Sequence, residues 1–503
     1  MDSGNAVDWF IDRHVAIGDG ARLAFRDPWR SLTYQDLATE TRRFAGALAL
    51  AGIGREQRVV LLLQDTIDFP IAFWGAMRAG VVPVPINTLL TPEIVAYILG
   101  DSRAAAVVIS AGLLATLGEV VRAPGVPVIV SDVDGFGAFL SGGDPETATA
   151  TASPDEVAFW LYSSGSTGAP KGVRHIHSSL RFTAETYGAQ VLGIRPDDVM
   201  FSAAKAFHAY GLGNSLTFPM SVGASTVFLP DRPTPDAVLG MMRTHNPTLF
   251  GGVPTLYAGL LANPYIGPGA GSSRLRRCIS AGEALPADVG TRWKSVVGVD
   301  ILDGIGSTEM LHIFISNTPG DIRYGSSGKP VPGYDARIVD EHDRPVPHGE
   351  PGELVVRGDS SAEGYWNQRA KTRRTFQGAW TYTGDTYTRD ADGYFRFQGR
   401  SDEMLKVSGI WVSPFEVEEA LISHQAVLEA AVVGHQDRDG LVKPKAFVIL
   451  RDGDWDMAAL VPELQAHVKD RAGVWKYPRW IEFVESLPKT ATGKIQRFRL
   501  REV

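Results

Sequence analysis

The sequence predicts an α/β fold: a large layered N-terminal body with parallel-rich sheets, followed by a small α+β C-terminal domain. Three observations lead there. Apolar runs of strand length alternate with segments of helical period through the first part of the chain. The 503 residues far exceed the roughly 100–200 of one domain. Past Arg400 the alternation starts afresh as a unit of about 100 residues, enough for a domain of its own.

In chain order, Leu37, Phe44 and Leu48 lie at helical spacing and lead into the β-rich run Val59-Val60-Leu61-Leu62-Leu63. A helical stretch at 71–77 then leads to Val81-Val82-Pro83-Val84-Pro85, and apolar runs at 106–109 and 126–130 repeat the pattern. Helices on parallel strands are the natural product. The most apolar stretch, 59–86, contains Gln64, Asp65, Asp68 and Arg78, so it reads as core and not as a membrane span. Residues 132–156 and 263–273 read as loops inside the large body, because the alternation resumes after each.

Asp392-Gly393 separates Thr386-Tyr387-Thr388 from Tyr394-Phe395-Arg396-Phe397 as a hairpin turn would. Pro414 then opens a helical pattern through Val417, Leu421 and Ile422. Strands at 430–433 and 446–450, a helix at 460–468 and a strand at 480–484 complete the small unit. The expected domains are 1–399 and 400–503.

Hydrophobic residues at 44% and charged residues at 21% describe an ordinary globular chain. With 49 Lys and Arg against 57 Asp and Glu, the net charge of −8 gives no basic field for a polyanion, which argues against nucleic acid as a partner. The single Cys278 excludes an internal disulfide. The acidic start Met1-Asp2-Ser3-Gly4 lacks the basic and apolar regions of a signal peptide. The expectation is a cytoplasmic protein without a membrane partner.

The strongest local signal is Tyr162-Ser163-Ser164-Gly165-Ser166-Thr167-Gly168-Ala169-Pro170-Lys171-Gly172, which follows the apolar run 157–161. Glycines let backbone N–H groups converge on phosphate oxygens, Ser and Thr add donors, and Lys171 adds positive charge. Gly172 follows Lys171 where a Walker A loop needs Ser or Thr, so this is a different kind of phosphate loop.

The string resembles the phosphate loop of the acyl-adenylate-forming superfamily: acyl-CoA synthetases, peptide-synthetase adenylation domains and luciferases. The resemblance continues, in the family's order, through Gly304-Ile305-Gly306-Ser307-Thr308-Glu309, Tyr382-Thr383-Gly384-Asp385, Gly399-Arg400-Ser401-Asp402, Lys406-Val407-Ser408-Gly409 and Pro488-Lys489-Thr490-Ala491-Thr492-Gly493-Lys494. It covers essentially the whole chain. The segments 206–214, 310–314 and 323–330 resemble the benzoate-CoA ligase branch.

What the resemblance implies is two reactions. A carboxylate and ATP give acyl-AMP and pyrophosphate, and a thiol then displaces AMP. Ser163, Ser164, Gly165, Ser166, Thr167, Gly168 and Lys171 would hold the phosphates. Ala281, Gly282, Glu283, Asp303 and Gly304 would frame adenine and ribose. Ile305 stands where many relatives have Tyr, so adenine would pack on an aliphatic side chain. Asp385 and Arg400 would grip the ribose hydroxyls as acceptor and donor. Thr308 would donate toward the α-phosphate, and Glu309 would supply a hard oxygen for Mg2+. Lys494 is the expected catalytic lysine, an ammonium that offsets repulsion between carboxylate and phosphate.

The acid pocket carried over from the branch is His208, Ala209, Tyr210, Gly306, His312 and Ile313, with His208 or His312 able to meet a ring substituent. Phe207-His208 stands where α-amino-acid-activating domains usually place Asp, which favours an acid without an α-ammonium group. Benzoate is the base case, and aminobenzoate or hydroxybenzoate stays open. CoA is the favoured acceptor, with Gly409 leaving room for pantetheine and Arg479 among the nearby basic residues. A separate carrier protein and a silent adenylate-binding regulator stay open as alternatives. The C-terminal domain would rotate about a hinge at Asp402, and the oligomeric state, with a homodimer among the possibilities, stays open.

Overall fold

The structure is a computed structural model that describes residues 3–501 except 133, 134, 166, 167, 402, 408, 409, 439, 440, 475 and 490–494. Asp402, Gly409 and Lys494, with Ser166 and Thr167, therefore lie outside the described residues.

Among the described residues, the first large sheet runs Lys329–Pro330, Ile313–Ser316, Ile301–Gly306, Arg277–Ser280, Leu249–Gly252, Val199–Ser202, Ser225–Val227, Leu23–Arg26, Ser31–Thr33. The stretch from Ile301–Gly306 to Leu23–Arg26 is parallel throughout, and antiparallel strands close both edges. A second, all-parallel sheet runs Val82–Pro85, Arg58–Leu62, Ala104–Ser110, Val128–Ser131. The α/β class expected from the alternating pattern is what the chain forms, because each apolar strand is covered by helices on its faces.

The apolar stretch 59–86 is core, as its patterning implied. The helix Asp68–Arg78 within it is buried along its whole length. It carries an arginine with no exposed surface, tolerated because Arg78 donates to both Asp12 oxygens at 2.7 and 2.8 Å and to Thr41 and Thr149. Cys278 is likewise fully buried in the strand Arg277–Ser280, where burial pushes its thiol up to about 12.

An antiparallel sheet of Asp335–Val339, Gly352–Arg357, Trp380–Arg389, Phe376–Gln377 and Phe395–Arg400 follows. The hairpin expected around Asp392-Gly393 is there, with Gly393 at φ 88°. Beyond it, a separate apolar cluster begins at Leu405 and joins the helices Pro414–Ile422 and Met457–Ala472 to the sheet Val427–Gln436, Val442–Leu450, Trp480–Phe483. Ser413 caps the first helix by accepting from Glu416 N, with Pro414 at its first position.

Arg497 ties this small domain together at its end. Its guanidinium is bidentate on the buried Glu418, at 3.0 and 2.7 Å, and reaches Glu403 at 3.4 Å. The domain meets the large body where Phe415 packs edge-on against Phe397, 5.4 Å between ring centres.

Candidate functional site

The described residues of the phosphate loop lie on two antiparallel strands, Val157–Gly165 and Gly168–Ile176, which pair with each other. The register pairs Ser163 with Lys171 and Gly165 with Gly168, so Ser163, Ser164, Gly165, Gly168 and Lys171 cluster at one end of the hairpin. Side chains alternate faces along a strand, which puts Lys171, Val173 and His175 on one face. That face meets the segment after the strand Ile301–Gly306, where Thr308 and Glu309 lie.

Five contacts fasten this meeting. Lys171 Nζ lies 3.6 Å from Glu309 Oε1 and 3.3 Å from the hydroxyl of Tyr365. The Tyr365 hydroxyl donates to the same Glu309 oxygen at 2.8 Å. His175 Nε2 is 2.8 Å from the Thr308 carbonyl, and Ala362 N donates to the Glu309 carbonyl at 2.9 Å. Burial lowers the Lys171 ammonium from its usual value, and Glu309 pulls it partly back. Burial also takes His175 down to about 4, so its ring is neutral and Nε2–H donates to Thr308.

His175 and Tyr365 are site residues that the motifs did not reveal. His175 carried one signal, its place on the Lys171 face of a strand. Tyr365 carried none: it stands 56 residues from Glu309, and the pairing of Gly364–Tyr365 with Arg174 and Val173 is what brings it in.

The strand Ile301–Gly306 holds Asp303, Gly304, Ile305 and Gly306. Asp303 is 3% exposed, and burial pushes its carboxyl up to about 8. Ala281, Gly282 and Glu283 follow the neighbouring parallel strand Arg277–Ser280, with Gly282 at φ 95°. These residues therefore sit at the carboxyl ends of parallel strands, where open α/β sheets bind ligands.

Asp385 and Arg400 face each other across the hairpin register, and Arg400 Nη1 donates to Asp385 Oδ1 at 2.9 Å. The two expected ribose contacts are thus together, as an ion pair with one another. Gly384 stands beside them at φ 70°, and a Cβ there would come within 2.9 Å of Arg400 Nη2.

Of the residues expected to line an acid pocket, Tyr210 meets His312 and Gly306 abuts His312. His208, Ala209 and Tyr210 lie at the start of the helix Ala209–Leu212. The Tyr210 hydroxyl is 3.0 and 2.9 Å from the carbonyls of Gly252 and Ile279, at the ends of two parallel strands. His312 Nε2 is 3.2 Å from the Tyr210 carbonyl, and its ring lies among Tyr187, Tyr210 and Phe218 at 5.2, 5.6 and 4.5 Å. Gly213 makes room for that ring, because a Cβ there would stand 2.4 Å from His312 Cδ2.

His312 is only 2% exposed, and burial takes it down to about 3. It is a neutral ring that donates from Nε2, and its Nδ1 is buried without a hydrogen-bond partner among the described residues. Gly306 abuts the backbone of the same segment, 2.5 Å from a would-be Cβ to His312 O, with Ile313 next in line.

Among the described residues no group of three or more His, Cys, Asp or Glu side chains could hold a metal ion by itself. Glu309 still fits Mg2+, which usually takes one or two carboxylates and completes its shell with substrate phosphates and water. Arg479, in the small domain, lies 3.6 Å over the Tyr477 ring and donates to the Tyr477 carbonyl, and Lys445 is 3.0 Å from Glu482. No described helix is long and apolar enough to cross a membrane.

Comparison with known proteins agrees with this architecture. Residues 13–366 match the AMP-binding enzyme family and 416–494 the AMP-binding enzyme C-terminal domain. A benzoate-CoA ligase of Thauera aromatica is 53% identical over 99% of this chain and 95% of its own length. A 4-hydroxybenzoate-CoA/benzoate-CoA ligase of Rhodopseudomonas palustris is 51% identical over 100% and 94%. The crystal structure of a benzoate-CoA ligase from Burkholderia xenovorans superposes with a TM-score of 0.93 at 47% identity, covering 99% of both chains.

Proposed function

The chain belongs to the AMP-binding enzyme family, and from that premise we propose how it works: it is an ATP-dependent aryl-CoA ligase acting on benzoate or a ring-substituted benzoate. The observation that carries this is the meeting of the phosphate-loop hairpin with Thr308-Glu309, next to the ring-lined group of Tyr210, His312 and Ile313. Relatives that match along the full chain at about half identity have aromatic acids and CoA in their names.

In the first step a carboxylate oxygen of the acid attacks the α-phosphorus of ATP. The acyl-oxygen-phosphorus bond forms, and the bond to pyrophosphate breaks. Lys171, Ser163 and the loop backbone hold the phosphates, and Thr308 donates toward the α-phosphate. Asp385 and Arg400 open from their mutual contact to take the ribose hydroxyls. Glu309 would hold Mg2+, which would supply charge neutralisation at the phosphates. Tyr365 and His175 keep Glu309 and Thr308 oriented.

Lys494 neutralises the approach of two anions. In the second step the CoA sulfur attacks the acyl carbon, the bond to the phosphate oxygen breaks, and AMP leaves. Rotation of the small domain about Asp402 withdraws Lys494 and brings Gly409 and Arg479 to the pantetheine path.

The deciding experiment is a carboxylic-acid panel with CoA-dependent AMP formation as the readout. Benzoate and its hydroxyl or amino derivatives should give AMP and aroyl-CoA. AMP formation that needs a carrier protein and ignores CoA would overturn the assignment of the acceptor.

A further inference from the structure

Lys205 follows the strand Val199–Ser202 of the large sheet, three residues before His208. Its ammonium sits on the carbonyls that follow the neighbouring strand Ser225–Val227. It donates to Leu229 O, to Pro230 O at 3.2 Å and to Asp231 O at 2.8 Å. The carboxylate of Asp65 lies 3.9 Å away, with only 2% of its side chain exposed. Asp65 comes from the second sheet, just past the strand Arg58–Leu62, and its Oδ1 accepts from Ala206 N at 3.2 Å. One ion pair, with Asp65 buried and Lys205 partly buried, thus joins the carboxyl ends of three strands from two sheets.

The turn at 203–207 is held at further points. Ala203 N donates to Gly251 O at 2.8 Å, Ser202 Oγ donates to Ala204 O at 3.0 Å, and His208 N donates to Lys205 O at 3.1 Å. Gly211 lets the following helix close on this turn, since a Cβ there would be 2.0 Å from the Lys205 carbonyl oxygen. A purely packing role would be met as well by an apolar residue, which avoids the desolvation of two charges. The pair does something an apolar contact does not: it fixes Ala206 N and the Lys205 stem in one direction.

We propose that Asp65 and Lys205 are positioning residues for acid recognition, fixing the turn that mounts His208, Ala209 and Tyr210. The inference rests on the reading of those residues as the aryl pocket. Neither side chain touches the acid; each acts through the turn. The phosphate-loop hairpin and Glu309 are fastened independently, through Tyr365, His175 and Ala362, so nucleotide binding should be insensitive to the pair.

The test uses the full chain with benzoate, ATP and CoA. Lys205→Met should raise KM for benzoate by about tenfold and narrow the preference among benzoate, hydroxybenzoate and aminobenzoate, with KM for ATP within about twofold of wild type. Asp65→Asn keeps an acceptor for Ala206 N but removes the charge, and should show the same split at smaller size. Lys205→Arg should recover part of the loss. Asp65→Asn preserves shape and decides the matter alone if Lys205→Met does not fold. Equal rises in both KM values, or an unchanged KM for benzoate in folded variants, would overturn the proposal. An inactive wild-type chain would instead strike at the ligase reading itself, which separates the two failures.

Discussion

His175 Nε2 lies 2.8 Å from the Thr308 carbonyl oxygen, so the second strand of the phosphate-loop hairpin is tied to the segment that carries Thr308 and Glu309. The His175 ring also stacks on Phe159 at 5.1 Å, directly across the hairpin. His175→Phe would keep the stack and lose the donor, leaving a carbonyl short of its partner at a cost of about 1–3 kcal/mol. The expected result is a rise in KM for ATP of roughly 5- to 150-fold, partly restored in His175→Gln, with KM for benzoate much less affected. Steady-state kinetics with each substrate varied in turn will check it.

The aryl pocket predicts the opposite split. Ala209 is 9% exposed at the start of its helix, between His208 and Tyr210. Ala209→Leu adds volume there and should lower kcat/KM for benzoate by at least about tenfold, a loss of the size overpacking commonly causes. Nucleotide affinity should hold. If binding of ATP fell and turnover of benzoate at saturating ATP did not, the cleft would be assigned to the wrong substrate.

Lys494→Ala should separate the two half-reactions. Formation of aroyl-AMP from acid and ATP should fall by several orders of magnitude, about what loss of a charge-stabilising donor at a reacting phosphate costs. Reaction of preformed aroyl-AMP with CoA should persist. Asp402→Pro should do the reverse, preserving pyrophosphate release while slowing thioester formation, because proline fixes φ at the proposed hinge. Single-turnover assays begun from each side measure both.

Stability should depend on pH from two directions. His175 and His177 are held near about 4 and His312 near about 3 by burial, below the ordinary 6.5. The unfolded chain binds more protons than the native one between those values, so stability is lost as pH falls from about 6.5 toward 4. Asp303, pushed from 3.8 to about 8, works the other way: the native state holds the extra proton, and stability declines as pH rises across that range. Thermal midpoints recorded from about pH 4.5 to 8.5 should therefore pass through a maximum, and Asp303→Asn should flatten the alkaline side.

What the sequence made legible was what is local or periodic. The apolar runs at 59–63 and 81–85 became neighbouring parallel strands because a strand buried on both faces must be apolar throughout. The Asp392-Gly393 turn was legible, but it is a one-residue register shift beyond Tyr387 that brings Asp385 opposite Arg400 rather than Gly399, and that shift had no signature in the sequence. Tyr365 was not, because its partnership with Glu309 depends on a short strand pairing that has no periodic signature. His312 shows the other limit. Its type and position suggested a pocket contact, whereas its near-complete burial and its bond to the Tyr210 carbonyl depend on Gly213 and Phe218 closing around it. The pairing of Asp65 with Lys205 carried no signal for the same reason, since the two follow strands of separate sheets.

The burial of Cys278 reaches into how motion in this molecule can be watched. The chain has a single cysteine, with no exposed surface and a thiol held up at about 12, so electrophilic labels should leave it alone in the native state. The native chain is in effect cysteine-free to a maleimide. One cysteine placed on the exposed face of Met457–Ala472 and one on the large body would then be the reactive pair, and a dye on each would report domain movement during turnover without first stripping the protein of its own thiol.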